Sequence, residues 1–312
     1  MRIYIIKRLL QMVVVLIGTT LVVFLMMHFL PGDPALIMAG ERANLEQLAQ
    51  MRENLGLTEP LHTQYFRFVK GAIQGDLGRS IRTNQLVAEE IFSSRFFITT
   101  QLAFLASLVT MFMGLFIGII SATRKYSLID VSLMLVSLFG LSMPSFWLGV
   151  LFIFIFGVNL GWLPISGWGD SFAQVILPSI TLGIVNGGIV ARMTRSSLLD
   201  VFSQDYIRTA YAKGLSERRV IFKHGLRNAL IPVVTVVGLQ FGALLGGAII
   251  TENVFAINGL GRLLVVAIRS RDFPMVQGIV LVFATLYTLV NFLVDITYRL
   301  LNKRIDYSEK CK

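Results

Sequence analysis

The amino-acid sequence predicts an all-α, polytopic membrane protein with six transmembrane helices. Hydrophobic residues make up 55% of the 312 positions and charged residues only 15%, whereas a soluble globular protein has about 25% charged residues. The apolar residues also fall in runs of about twenty, the length that a helix needs to cross the hydrocarbon core of a bilayer. The predicted spans are 9–30, 98–122, 130–157, 175–191, 229–251 and 275–298.

The distribution of charge predicts the orientation of these spans. The first apolar run follows a basic head, Met1–Arg8, and is too long for a signal peptide, so we expect it to remain as an uncleaved span. With the N-terminus inside, most of the 28 Lys and Arg residues fall on the cytosolic side, as is typical of inner-membrane proteins. Both termini are therefore expected in the cytosol. This retention also accounts for the net charge of +10, so no nucleic-acid partner is expected.

The segment 31–97 is too long for a simple connection and carries helix signals of its own. Asn44 and Gln47 have the spacing of a reciprocal helix cap, and Pro60 suits the start of a second helix. The sequence Gly75–Gly78 predicts a turn. We expect a small helical cap on the extracytoplasmic side; the alternative is an unstructured connector, which its periodic apolar residues disfavour.

The connection 192–228 holds eight Lys or Arg residues and three acids. It predicts two short helices, one preceded by Gln204 and Asp205 and stopped by Gly214, the other capped by Ser216. The apolar positions of these helices are Ile207, Ala210 and Tyr211, and Val220, Ile221 and His224. Charge alone is equally compatible with a solvated basic loop, but exposed apolar faces would require a partner surface. This connection is therefore the candidate functional site.

Two stretches of this connection resemble a known signature. Asp205–Leu215 reads DYIRTAYAKGL, and His224–Pro232 reads HGLRNALIP. Both are similar to the signature loop of binding-protein-dependent ABC importer permeases, and within them to the dipeptide, oligopeptide and nickel branch. Arg208, Thr209 and Ala210 stand at the family's Glu-Ala-Ala positions.

The resemblance extends along the whole chain through short motifs in the same order. They are PGDP at 31–34, LGL at 55–57, GDLG at 75–78, ENVF at 252–255, GLGR at 259–262 and RDFP at 271–274. The implied organisation is an N-terminal segment with the first span (1–30), the extracytoplasmic cap (31–97) and a permease core of five spans (98–312).

The resemblance implies the type I ABC importer permease fold and a role in ATP-driven import of di- or oligopeptides, or of glutathione, by alternating access. This subunit would bind no cofactor or metal and would not be an enzyme. Its implied partners are a second homologous permease subunit in a heterodimer, two cytosolic ATPase subunits that bind ATP and Mg²⁺, and an extracytoplasmic substrate-binding protein. The implied coupling residues are Asp205, Tyr206, Arg208, Thr209, Ala210, Gly214, Leu215, Ser216 and Glu217, followed at the loop exit by His224, Arg227, Asn228 and Pro232.

Polar and small residues within the spans are the remaining candidates. Ser142, Asn186 and Gln240 either line a translocation path or form interhelical hydrogen bonds. Pairs of glycines one turn apart allow close helix packing, within the chain or between subunits. These pairs are Gly114 with Gly118, Gly183 with Gly187, and Gly242 with Gly246.

Two other classes of membrane protein are disfavoured. An ion-coupled carrier would need paired ionisable residues at mid-membrane, whereas the only acid well inside the sixth span is Asp295, which has the spacing to pair with Arg299. An intramembrane enzyme would need a catalytic constellation that the spans do not carry, and no phosphate-binding loop motif appears. Within the importer family, nickel or another small solute is the alternative substrate.

Overall fold

The computed structural model describes residues 2–29, 35–36, 44–54 and 56–301. Their regular structure is helical, apart from an isolated antiparallel bridge between Arg79 and Leu86. The motif at 31–34 and the side chain of Arg299 lie outside what is described. The helices are α1 Arg2–Phe29, α2 Leu45–Asn54, α3 Leu61–Ile73, α4 Val87–Phe92, α5 Arg95–Thr123, α6 Leu128–Ser142, α7 Ser145–Asn159, α8 Phe172–Phe202, α9 Asp205–Ala212, α10 Glu217–Val254, α11 Leu260–Arg269 and α12 Phe273–Leu301.

Five helical stretches are long and apolar enough to cross a membrane, and a bent pair, α6 with α7, makes a sixth. The five are Ile5–Met26, Val87–Thr123, Phe172–Phe202, Glu217–Val254 and Phe273–Thr297. The predicted fold class, an all-helical polytopic membrane protein, is therefore confirmed. The fourth predicted span, 175–191, is in fact part of the 31-residue helix α8, which continues through Pro178 to Phe202.

The third predicted span, 130–157, is not one helix. α6 and α7 meet at an angle of 104°. Met143 between them has the extended dihedrals φ −81° and ψ 132°, because the ring of Pro144 disfavours a helical residue before it and its nitrogen has no hydrogen to donate. The third predicted span is therefore a bent pair of helices, interrupted at Met143 and Pro144.

The described residues form two compact units. The first comprises Met1–Thr99 and Asn258–Leu289. In it, the predicted cap of α2 is confirmed: the Gln47 backbone N–H donates to Asn44 Oδ1 at 2.7 Å, and the Asn44 N–H donates to Gln47 Oε1 at 3.2 Å. The predicted turn at Gly75–Gly78 is also confirmed, with a φ of +82° at both glycines. The cap and the turn could be predicted because each depends only on residues that are close together in the sequence.

A buried carboxylate organises the same unit over long sequence distances. Asp272, 1% exposed, accepts hydrogen bonds from the Ser80 hydroxyl and from the backbone N–H groups of Ile81 and Met275, the last two at 3.1 and 3.3 Å. Asp272 therefore joins the loop after the Gly75–Gly78 turn to the start of α12.

The second unit comprises Thr100–Ile257 and Val290–Lys312, and α8 packs at its centre against α5, α6, α7 and α10. The approach of α5 to α8 depends on glycines of both helices. A Cβ atom at Gly118 would lie 2.7 Å from the Ala191 carbonyl oxygen, and one at Gly183 would lie 2.9 Å from that of Ala106. Of the three predicted glycine pairs, the first two thus serve packing within the chain. For the third, an added Cβ at Gly246 would meet nothing within 4 Å.

The contact between α6 and α8 gives the sharpest test of this packing. A Cβ at Gly188 would collide with the Ser137 carbonyl oxygen, whereas one at Gly187 would make an ordinary contact of 3.7 Å with Met113. We expect Gly188→Ala to destabilise the protein by about 1–3 kcal/mol, the usual cost of overpacking, and Gly187→Ala to have little effect. Thermal unfolding of the two purified variants checks this; equal midpoints would contradict the packing described.

Candidate functional site

The candidate coupling segment is the stretch between α8 and α10, residues 203–216. α9 begins after Gln204, which has extended dihedrals, and ends with a glycine in the left-handed region, Gly214 at φ +73°. The Gly214 N–H donates to the Tyr211 carbonyl at 2.9 Å and the Leu215 N–H to that of Ala210 at 3.4 Å. This pair of bonds is the Schellman arrangement, which satisfies the last carbonyls of a helix. The predicted stop at Gly214 is confirmed.

One face of α9 is sealed against its own chain. Ile207 is 1% exposed, and together with Ala210 and Val220 it forms an apolar cluster. Val201, at the end of α8, and Leu215 pack against that cluster. Ile207, Ala210 and Val220 therefore find a surface to bury against within their own chain, because the short turn at Gly214 folds α9 back onto the start of α10, whereas Tyr211 stays exposed.

The opposite face of α9 is exposed. Arg208 is exposed over 81% of its side chain, and its ion pair with Asp205, at 3.9 Å, joins two solvated groups, so it adds little stability. Tyr211, four residues after Ile207 and thus at the edge of the sealed face, is 48% exposed. The other predicted coupling residues that are exposed are Tyr206, Thr209, Gly214, Ser216 and Glu217.

The predicted second short helix is the first part of the spanning helix α10. Glu217–Arg219 is α-helical, Val220–Gly225 is π-helical, and the helix then continues to Val254. The predicted exit residues His224, Arg227, Asn228 and Pro232 all lie within it. Asn228 Nδ2 donates to the Tyr206 hydroxyl at 2.8 Å, so the structure brings one coupling residue and one exit residue together.

A partly buried ion pair, seven residues before the end of α8, was missed by the sequence analysis. Arg195 of α8 donates to both carboxylate oxygens of Asp130 of α6, from Nε at 2.8 Å and from Nη2 at 2.7 Å. The Ser121 hydroxyl of α5 and the Tyr126 N–H, at 2.9 Å, also donate to this carboxylate. The sequence places Asp130 at the start of a predicted span and Arg195 among the cations of the connection 192–228, and it gives no sign that the two are paired. An acid at the edge of an apolar run was the available signal, since a buried charge requires a partner.

The predicted path residues differ in their bonding. Ser142 and Asn186 donate to carbonyls of their own helices, those of Leu138 at 2.9 Å and Leu182 at 3.0 Å. Gln240 Nε2, in contrast, is buried and has no hydrogen-bond partner among the described residues. The described part of the chain contains no group of three or more His, Cys, Asp or Glu side chains that could hold a metal ion.

Comparison with known families accounts for nearly the whole chain. Residues 114–307 match the family described as binding-protein-dependent transport system inner membrane component. Residues 1–103 match the N-terminal region described for the same membrane components.

Curated relatives and solved structures agree with this. The glutathione transport system permease protein GsiC is 47% identical in Salmonella paratyphi A and 46% identical in Escherichia coli K12, each over 97% of this chain and 99% of the relative. The inward-facing MetNI methionine ABC transporter shares the fold, with a TM-score of 0.55 at 20% identity over 68% of this chain and 96% of that one.

Members of this family are permease subunits without catalytic activity, and their description implies an ATPase and a binding protein as partners. The chain therefore belongs to the binding-protein-dependent inner membrane components, as a multi-pass permease subunit of a bacterial ABC importer related to the glutathione permeases.

Proposed function

We propose that α9 and the turn after it, residues 205–217, form the coupling element that docks on the ATPase. The observation that carries this proposal is the division of α9 into a face sealed against α8 and α10 and an exposed face. A short helix fixed on one side and free on the other can enter a groove of a partner and transmit its displacement. Asp205, Arg208, Thr209 and Tyr211 would form the contact, while Ala210 would hold the element in place.

The remaining subunits follow from this role. Two ATPase subunits would bind ATP and Mg²⁺ on the cytosolic side, so that α9 and both termini would lie in the cytosol. A second homologous permease subunit would complete the path as a heterodimer, and a substrate-binding protein would deliver the substrate from outside. The organisation expected from the sequence, with 1–30 and 31–97 preceding a core of 98–312, remains our proposal.

Asn186 and Gln240 are proposed to line the path. Ala229 of α10 packs with Leu198 of α8, and a Cβ at Gly247 would touch Leu182, so the two helices run antiparallel in a fixed register. At about 1.5 Å per residue, Gln240 lies within roughly one turn of Asn186 in depth. Its amide N–H, buried and unpaired in this conformation, would donate to a carbonyl of the peptide when the path opens. Ser142, at the end of α6, would lie beside the bend.

The proposed substrates are short peptides, including glutathione. The support is the full-length similarity to permeases named for glutathione transport. Peptides of this size are zwitterionic and rich in carbonyl and N–H groups. A path lined by neutral amide groups, such as those of Asn186 and Gln240, can bind the backbone groups of these peptides whatever side chains the peptides carry.

Charge reversal tests the docking surface. We expect Arg208→Glu to reduce copurification of the ATPase subunits by roughly tenfold, equivalent to about 1.4 kcal/mol of binding free energy. Because Arg208 is exposed, the amount of permease in the membrane should not change. Arg269→Glu, at another exposed arginine at the end of α11, serves as the control. Wild-type copurification of the Arg208 variant would contradict the proposed contact.

Two substitutions at one position test the rigidity of the coupling element. Gly214→Ala must adopt a left-handed conformation at a cost of about 1–2 kcal/mol but meets no neighbour within 4 Å. Gly214→Pro cannot adopt φ +73° and also loses the N–H bonded to Tyr211. We expect Gly214→Ala to retain most uptake per ATP hydrolysed and Gly214→Pro to lose it, with faster amide hydrogen exchange over 205–212. Full coupling in the proline variant would contradict the role of this turn.

Substrate choice is tested with the complete transporter in liposomes, including its own binding protein. We expect ATP-dependent accumulation of radiolabelled glutathione or of dipeptides, and none when ATP is replaced by a non-hydrolysable analogue. Uptake of Ni²⁺ in preference to both peptides would overturn the substrate assignment while leaving the importer class intact.

A further inference from the structure

The ion pair of Asp130, which is buried, and Arg195, which is partly buried, joins α5, α6 and α8. Asp130 is 2% exposed, and its carboxylate accepts from α5, from the turn between α5 and α6, and from α8. The turn is held in an uncommon conformation, since Tyr126 has a φ of +62°. A non-glycine residue persists there when its surroundings over-determine it, and the bond from its N–H to Asp130 is part of that constraint.

The ion pair lies close to the coupling element. Arg195 precedes the end of α8 at Phe202 by seven residues, or roughly 10 Å along the helix. The end of α8 is itself fixed to α9, because Val201 packs against the cluster of Ile207 and Ala210. A continuous chain of contacts therefore runs from α9, along the last two turns of α8, to the first turn of α6.

The geometry of the ion pair differs from that of the van der Waals contacts between these helices. At Gly188, α8 meets α6 through van der Waals packing against Ser137, and packed helices can slide by small amounts. The guanidinium of Arg195 instead forms two parallel bonds to one carboxylate, and this fork fixes orientation as well as distance. The ion pair is thus the contact that resists sliding or rotation of α6 relative to α8.

We propose that Asp130 and Arg195 are positioning residues that couple the bent span to α9. This inference rests on the proposed role of α9 as the docking element. When the ATPase displaces α9, α8 moves with it, and the ion pair carries α6 along. Because α6 leads directly into the 104° bend at Met143, this displacement reaches α7 and changes the membrane-embedded part of the chain.

A purely stabilising role can be separated from this one. Removing one partner of a buried pair leaves an uncompensated charge and is strongly destabilising, whereas replacing both partners is often close to neutral. In the double variant Asp130→Asn with Arg195→Met, the asparagine oxygen can still accept from the Tyr126 N–H, and its NH2 group can donate to the Ser121 hydroxyl, which is able to accept. No charge is left unpaired, yet the fork between α6 and α8 is gone. Stability and coupling should therefore respond differently.

The test uses the complete transporter in liposomes, with its ATPase subunits and binding protein. The readout is peptide uptake per ATP hydrolysed, measured with radiolabelled glutathione or dipeptide, whichever the wild type accumulates. We expect the double variant to assemble and hydrolyse ATP while this ratio falls by about tenfold, within the usual range of coupling between sites. Arg192→Met, an exposed arginine one turn earlier on α8, should keep the wild-type ratio.

The outcomes separate the two proposals. A wild-type ratio in the double variant would overturn the positioning role, because assembly and transport would then need no fork. If the wild type itself accumulates no peptide, the proposed substrate fails first.

Arg195→Lys keeps the charge but not the two parallel bonds, so we expect wild-type assembly with an intermediate ratio. Should the double variant fail to assemble, an unchanged ratio in Arg195→Lys would equally refute the role of the fork.

Discussion

The close approach of α8 to its neighbours is the contact on which the second unit depends. Helices in a bilayer gain little from hydrophobic burial, because lipid tails are as apolar as leucine, so they associate through packing and hydrogen bonds. Glycines provide that packing: Gly118 of α5 and Gly183 of α8 let those two helices approach, and Gly188 of α8 admits the backbone of α6. With these contacts made, the Thr110 hydroxyl reaches the Gly183 carbonyl at 3.0 Å. The span of α8 is thus the most buried of the five long spans described, although its mean hydropathy is the lowest.

The coupling segment must hold a short helix, α9, in place beyond the end of α8. Isolated helices of eight residues are not stable in water. α9 gains its stability from the apolar cluster around Ile207, from the bond between Tyr206 and Asn228, and from the cap at Gly214. These contacts use one side of the helix only. The other side is left free for a partner without any loss of local order.

Much of the fold could be predicted from the sequence because its determinants are local. Apolar runs predicted the membrane spans, the Asn44–Gln47 spacing predicted a cap, and Gly214 predicted the end of α9. The features that were missed depend on contacts between distant residues. The ring of Pro144 was visible, but the angle it produces is set by the helices that pack around it. Asp130 and Arg195 are 65 positions apart, and the residues around each of them do not predict which residue it pairs with.

The sharp bend between α6 and α7 also constrains the surroundings of the protein. The first backbone N–H groups of any helix have no partner within it, and the start of α7 has no side-chain cap. In hydrocarbon each unsatisfied amide costs several kcal/mol, so irregular backbone occurs at membrane depth only beside protein or water. The amides after Pro144 must therefore be solvated or covered. Lipid tails cannot be the only neighbours of these amides, so the bend marks a place where protein or water takes the place of the bilayer.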